Sequence, residues 1–253
     1  MPVCCYGVYK VHKKNCKIKR KKSNKMKKII LLTAIILLSN IVFAQSREEI
    51  FKSYLFYAQQ GNIDAQASLA HCYIDGIGTE KDYKQAHYWL RQSLKKSSFS
   101  QYNLGYCFEN GFGVPINMDS AIYYYKKASK HNETLAIVSL GRCYQEGIGV
   151  KQSHRKAIHY YEWACERHNA IALWQLGNYY SKGEHVKQNL KKAKKLLVEA
   201  ANKNLASAQY DIALILYQSE DSFDIEKANY WIKRSAGNKY KPALDYIREN
   251  RVK

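Results

Sequence analysis

Acidic side chains are missing from the first 44 residues, which hold eleven lysines and arginines and so supply more than half of the chain's +20 net charge. Long apolar runs are missing too. The most hydrophobic stretch, IILLTAIILLSNIVFA (29–44), falls short of the ~20 residues that a membrane-spanning helix needs. It follows Lys27-Lys28 and ends in Val42-Phe43-Ala44, the layout of a cleaved export signal. No cysteine stands at the expected cut, so a lipid-anchored lipoprotein is not expected. Residues 26–44 are thus expected to be a signal peptide removed before Gln45, and residues 1–25 a basic, over-long gene start ahead of Met26. Residues 45–253 would then be a periplasmic or secreted domain with no membrane span left. The alternative is an uncleaved signal that anchors the chain, its basic arm held on the cytoplasmic side.

Catalytic signals are equally scarce. The histidines beyond residue 44, at 71, 87, 131, 154, 159, 168 and 185, never take the H-x-x-x-H spacing that sets two metal ligands on one helix face. Cys165 and His168 fall on one helical face, but no third group orients them as a nucleophile and base would require. Glycine-x-glycine stretches such as EGIGV (146–150) follow no β-rich segment, so the βαβ context of a phosphate cradle is absent. No nucleic-acid module is present. The sequence therefore assigns no catalytic residue, no cofactor, no metal and no nucleic-acid partner.

What is present is repetition. Leu69, Leu104, Leu140, Leu176 and Ile212 recur at steps of 35, 36, 36 and 36 residues. Each of the first four has an aromatic four residues on and a glycine seven on: Gly76, Gly111, Gly147 and Gly183. A second series, Ala86, Ala121, Ala157, Ala193 and Ala228, keeps the same beat, with Trp89, Tyr124, Tyr160, Leu196 and Trp231 three residues beyond. Spacings of three, four and seven lie on one face of a helix. Each unit is thus two helices, A and B, joined by a loop whose first glycine takes the left-handed backbone that ends helix A. Gly105, Gly141 and Gly177 are expected to let helix B approach closely, with the helix B aromatics supplying the bulk opposite them. Cys72, Cys107 and Cys143 share one slot in successive units, too far apart to bridge, and read as small buried hydrophobes.

The ends are expected to blunt the stack. Ser46 with Glu49 reads as a capping box opening a lone B-like helix that Gly61 stops, and Pro242 with a polar tail begins a final capping helix.

The stretches LGYCFENGFGV (104–114) with AIYYYKKA (121–128), and LGRCYQEGIGV (140–150) with KAIHYYEWA (156–164), resemble the Sel-1-like repeat, a relative of the tetratricopeptide repeat. The resemblance spans residues 62–240, with repeats near 65–99, 100–135, 136–171, 172–207 and 208–242 and a cap at 243–253. It implies an all-α fold, a right-handed α-α superhelix (solenoid) of about five helix-turn-helix repeats with terminal capping helices. It implies also a non-catalytic adaptor that binds a protein or peptide; the chain itself is expected to be a monomer. Some relatives staple each unit with a cysteine pair; Ala164-Cys165 fits half of that pattern, but Leu173 occupies the second position. If tetratricopeptide-like geometry carries over, the slots two before and two after the repeat leucine line a concave groove. Its candidate partner-binding residues are His71, Tyr102, Tyr106, Arg142, Trp174, Asn178 and Tyr210. Tyrosine, tryptophan and arginine dominate binding hot spots. If these side chains serve only the groove, replacing Tyr102, Trp174 and Tyr210 with alanine should leave melting unchanged. Lysine runs such as Lys191-Lys192 and Lys194-Lys195 add the option of an acidic envelope component as partner. The alternative function is a cell-wall-related enzyme or ligand-binding protein with penicillin-binding or weak β-lactamase-like activity.

Overall fold

The computed structural model describes residues 45–219 and 221–250, so the basic start and the signal peptide expected at 26–44 lie outside the described residues. The described residues form twelve α-helices and no strand. They belong to two compact units that meet in sequence between Asp82 and Tyr83, inside the first repeat.

In the first unit, α1 (residues 45–59) packs on α2 (Ile63–Asp75). Gly61, at φ +82°, turns the chain between them, and the Asn62 side chain accepts the Ala65 N–H at 2.9 Å to cap α2. Gln66 donates to the Ala58 carbonyl at 3.2 Å, and Phe51 meets Tyr73 edge-on at 5.3 Å. Gly78 lies so close to α1 that a Cβ there would sit 2.2 Å from the Arg47 carbonyl oxygen. The capping box expected at Ser46 does not open α1, because the helix is already formed at residue 45. Ser46 falls inside the helix, past its first described residue.

The second unit alternates B and A helices. The B helices are α3 (Tyr83–Ser93), α5 (Met118–Ser129), α7 (His154–Cys165), α9 (Leu190–Asn202) and α11 (Ser222–Gly237). The A helices are α4 (Ser98–Asn110), α6 (Thr134–Glu146), α8 (Ala170–Lys182) and α10 (Ala206–Leu216), followed by the end helix α12 (Lys241–Asn250). Short polar residues start most of them: the side chains of Ser97, Asn117, Ser153, Asn169, Asn189 and Asp221 each accept a backbone N–H of the first turn. Gly111, Gly147 and Gly183 end α4, α6 and α8 at φ +73° to +75°, where a side chain would be strained.

Close packing within a repeat depends on the glycine after the repeat leucine. A Cβ on Gly105 would lie 2.8 Å from the Tyr125 ring, one on Gly141 2.6 Å from Tyr161, and one on Gly177 2.8 Å from Leu197. These partners stand four residues after the repeat alanine, one further than the aromatics expected there. The expected aromatics serve another purpose: Tyr124 stacks on Phe108 at 5.8 Å and Tyr160 on Tyr144 at 5.6 Å, beside the loop that joins the two helices. Each such pair contributes about 0.5–1.5 kcal/mol beyond its buried area. Where Leu196 replaces the aromatic, the Lys192 ammonium covers the Tyr180 ring instead, 4.0 Å from its centre.

The fifth loop has no glycine and takes a different course. Helix α10 stops after 11 residues at Tyr217, whose φ of −64° stays right-handed, and Asp221 opens a 16-residue α11.

Candidate functional site

The candidate groove residues all lie on A helices, half-buried. His71 belongs to the first unit, where its Nε2 faces the Asp75 carboxylate at 3.4 Å. The other six belong to the second unit, and each is tied to its neighbours.

Tyr102 and Tyr106, one turn apart on α4, stack at 6.2 Å. Tyr102 also stacks on Phe99 at 6.2 Å and on the buried Tyr125 ring at 5.8 Å. Arg142 on α6 donates to Glu109 on α4, whose other oxygen accepts the Tyr125 hydroxyl at 2.6 Å. One carboxylate thereby joins two A helices and a B helix. Burial works against the Arg142 charge, but the hydrogen bond and charge of Glu109 outweigh it and raise its pKa. Burial and the same carboxylate push the Tyr125 hydroxyl far above the ordinary phenol range. On α8, Trp174 Nε1 and Asn178 Nδ2 both donate to Asp211 Oδ2 of α10, at 2.5 and 3.1 Å. Tyr210 meets Tyr240 at 5.7 Å and Tyr246 of the end helix at 6.4 Å, both edge-on.

The structure thus brings Tyr102 with Tyr106 and Trp174 with Asn178, and makes Arg142 and Tyr210 links to the helix before and the helix after. Sequence reasoning missed the organisers, Glu109, Asp211 and Tyr125. Glu109 and Asp211 occupy different repeat slots, so periodicity carried no signal for them, and the scarcity of acids on the A helices was the one available hint; Tyr125 shares its slot with Tyr161, a repetition masked by the neighbouring tyrosines at 124 and 160.

The loop after α8 departs from the repeat pattern. His185 stands where the other units have their second glycine, keeps the same left-handed backbone at φ +63°, and stacks on His154 at 3.8 Å. His154 Nδ1 in turn lies 2.9 Å from the Tyr179 hydroxyl. Burial, then the neighbouring His185, lowers the His154 pKa against the opposing pull of Glu184. Beside this pair, Gln145, Gln175, Asn178 and Lys182 help to line a recess of about 140 Å³, below the size of a small-molecule pocket.

The cysteines are placed for packing. Cys72, Cys107 and Cys143 are buried, Leu173 is buried where a staple would need a sulfur, and burial pushes the Cys143 and Cys165 thiols up to about 11 and about 12. Two Ser-x-x-Lys spacings, Ser93 to Lys96 and Ser153 to Lys156, escaped the sequence reading. Ser93 is wholly buried against Ser100 at 2.6 Å, and Ser153 caps α7 by accepting the Lys156 N–H at 3.4 Å. Neither has the geometry of a nucleophile. Among the described residues no group of three or more His, Cys, Asp or Glu is placed to hold a metal ion, and no helix is long and apolar enough to cross a membrane.

Stacked helix pairs with glycine-ended A helices and side chains that join one pair to the next define a tandem-repeat protein of the protein-interaction type. The Sel1 repeat is matched at residues 63–98, 98–133, 134–169, 170–205 and 206–239, and the chain belongs to the Sel1 repeat family. It is similar to a sel1-like repeat-containing protein of Acanthamoeba polyphaga mimivirus, 38% identical over 76 residues that cover 30% of this chain and 14% of that protein. It is also similar to the ERAD-associated E3 ubiquitin-protein ligase component HRD3B of Arabidopsis thaliana, 32% identical over 89 residues, 32% of this chain and 15% of that one. The chain therefore spans only a small part of these relatives' length. Among solved structures, the Sel1 repeat protein of Oxalobacter formigenes aligns with 26% identity and a TM-score of 0.71, over 80% of this chain and 85% of that one. The fold is an all-α superhelix.

Proposed function

We propose that the chain is an exported, non-catalytic scaffold that holds a peptide or protein in the groove along its A helices. The observation that carries this reading is the coupling of the groove residues. Aromatic rings and hydrogen-bonding groups at Tyr102, Tyr106, Arg142, Trp174, Asn178 and Tyr210 stay half-exposed while neighbouring helices fix their orientation. A surface preorganised in this way binds without the entropy cost of ordering its side chains. Relatives are consistent with it: HRD3B is by name a component of a ubiquitin ligase assembly.

The test uses peptides selected on the full chain from a random display library. Alanine at Tyr102, Trp174 and Tyr210 together is expected to weaken their binding by at least ~30-fold, the scale of a single hot spot. Because Trp174 holds Asp211 and Tyr102 packs on Tyr125, the variant should also melt lower, so binding is measured well below its melting range. Undiminished binding by the folded triple variant would exclude this groove.

A further inference from the structure

Charge is divided between the two kinds of helix in the second unit. The five B helices carry thirteen lysines and arginines against five acids, +8, whereas α4, α6, α8 and α10 carry two against three, −1. The last two B helices, α9 and α11, are linked by the Lys194 to Asp224 ion pair at 3.7 Å. Large apolar side chains are exposed among these cations. Tyr88, Tyr123 and Tyr230 occupy one repeat slot, two after the repeat alanine, and are 52%, 59% and 53% exposed. Ile116, Leu190 and Phe223 stand exposed at or just before the start of α5, α9 and α11.

Cationic side chains alone would suit any polyanion. Exposed aliphatic side chains have nothing to gain from a hydrated polymer, but they gain from the boundary of a lipid layer, where tyrosine and lysine are also favoured. We infer that the B-helix face of residues 83–237 docks on an anionic lipid surface, leaving the A helices to the partner proposed above. Arg91 and Tyr88 help to line a hollow of about 500 Å³ that offers a headgroup phosphate a guanidinium beside an aromatic ring. This inference stands apart from the groove reading, since it uses none of the groove residues.

Vesicle binding by the full chain tests it. The apolar stretch at 29–44 is common to parent and variants, so the ratio of their partition constants reports the repeats alone. Lys191 and Lys195 are the lysines of α9 to change, because Lys192 covers Tyr180 and Lys194 pairs with Asp224. Lys191→Gln with Lys195→Gln should lower the partition constant on phosphatidylglycerol vesicles about 25-fold, about fivefold for each lysine, and about 0.5 M salt should erase the difference. Tyr123→Ser with Tyr230→Ser should weaken binding severalfold at either salt level. Residues 1–44 contain no tryptophan, so brominated lipid should quench fluorescence from the repeats and nothing else. Helicity by circular dichroism confirms that each variant is folded. Equal binding by parent and folded variants would overturn the proposal, as would equal binding to phosphatidylcholine vesicles. Lysine-dependent capture of soluble polyglutamate with no lysine-dependent vesicle binding would overturn it in favour of a polymer.

Discussion

Replacing Gly141 with alanine sets two effects of known sign against each other. Alanine is the better helix former by about 1 kcal/mol, and Gly141 lies in the middle of α6, so propensity alone predicts stabilisation. Packing predicts the reverse. The added Cβ would lie 2.6, 2.9 and 3.1 Å from three carbons of the Tyr161 ring. That ring has little room to yield, because it is 1% exposed and its hydroxyl donates to Gln145 at 2.9 Å. Overpacking of this kind typically costs about 1–3 kcal/mol, and a contact shorter than 3 Å with a tethered ring belongs at the upper end. The expected balance is a net loss of about 1–2 kcal/mol. Gly237 is the control, since a Cβ there meets nothing within 4 Å, so Gly237→Ala should be neutral or stabilising by up to about 1 kcal/mol. Urea denaturation followed by circular dichroism compares the two midpoints. A Gly141→Ala variant as stable as the parent would refute the reading of this glycine as the seat of Tyr161.

Further outcomes follow from the same geometry. Because the folded state lowers the His154 pKa, the unfolded chain binds that proton more readily, and acid favours unfolding. The contribution is complete above the ordinary imidazole value and is lost as pH falls through the lowered one. The melting temperature should therefore decline on acidification more steeply in the parent than in His185→Gly, and coincident slopes would clear the pair of this role. Glu109→Gln weakens the link that joins Arg142 and Tyr125, and should destabilise the fold by about 1–3 kcal/mol in thermal or urea melts. The thiols of Cys143 and Cys165, raised to about 11 and about 12, should resist iodoacetamide at pH 8 in the folded chain and react on denaturation, as mass spectrometry would register.

The architecture was legible because each repeat solves one packing problem with the same residues. The leucine, the glycine seven residues on and the alanine of helix B return at a fixed step, and a period of 36 leaves little freedom of interpretation. The rotation of helix B was less legible. Tyr124 and Tyr125, or Tyr160 and Tyr161, are adjacent in sequence, and only the built helix shows that the second of each pair fills the glycine's hollow. A tyrosine in so tight a place is tolerable because its hydroxyl reaches Glu109 or Gln145, 16 residues back. The groove was legible as a set of slots, but its wiring was not. Glu109 stands five residues after its repeat leucine and Asp211 one before its repeat isoleucine, so the partners of Arg142 and Trp174 follow no register that repetition can reveal.

That irregular wiring has a consequence for the order of the modules. The apolar interior does little to fix that order where bricks repeat one pairing, a helix B side chain seated over the glycine after the repeat leucine, as at Gly105, Gly141 and Gly177. Excising 134–169 would leave those shapes matched, yet it would bring Glu109 opposite the slot of Asn178 and strand its charge without a guanidinium. Sequence order is thus written into the seams between bricks, where electrical matching distinguishes neighbours that geometry alone treats as identical.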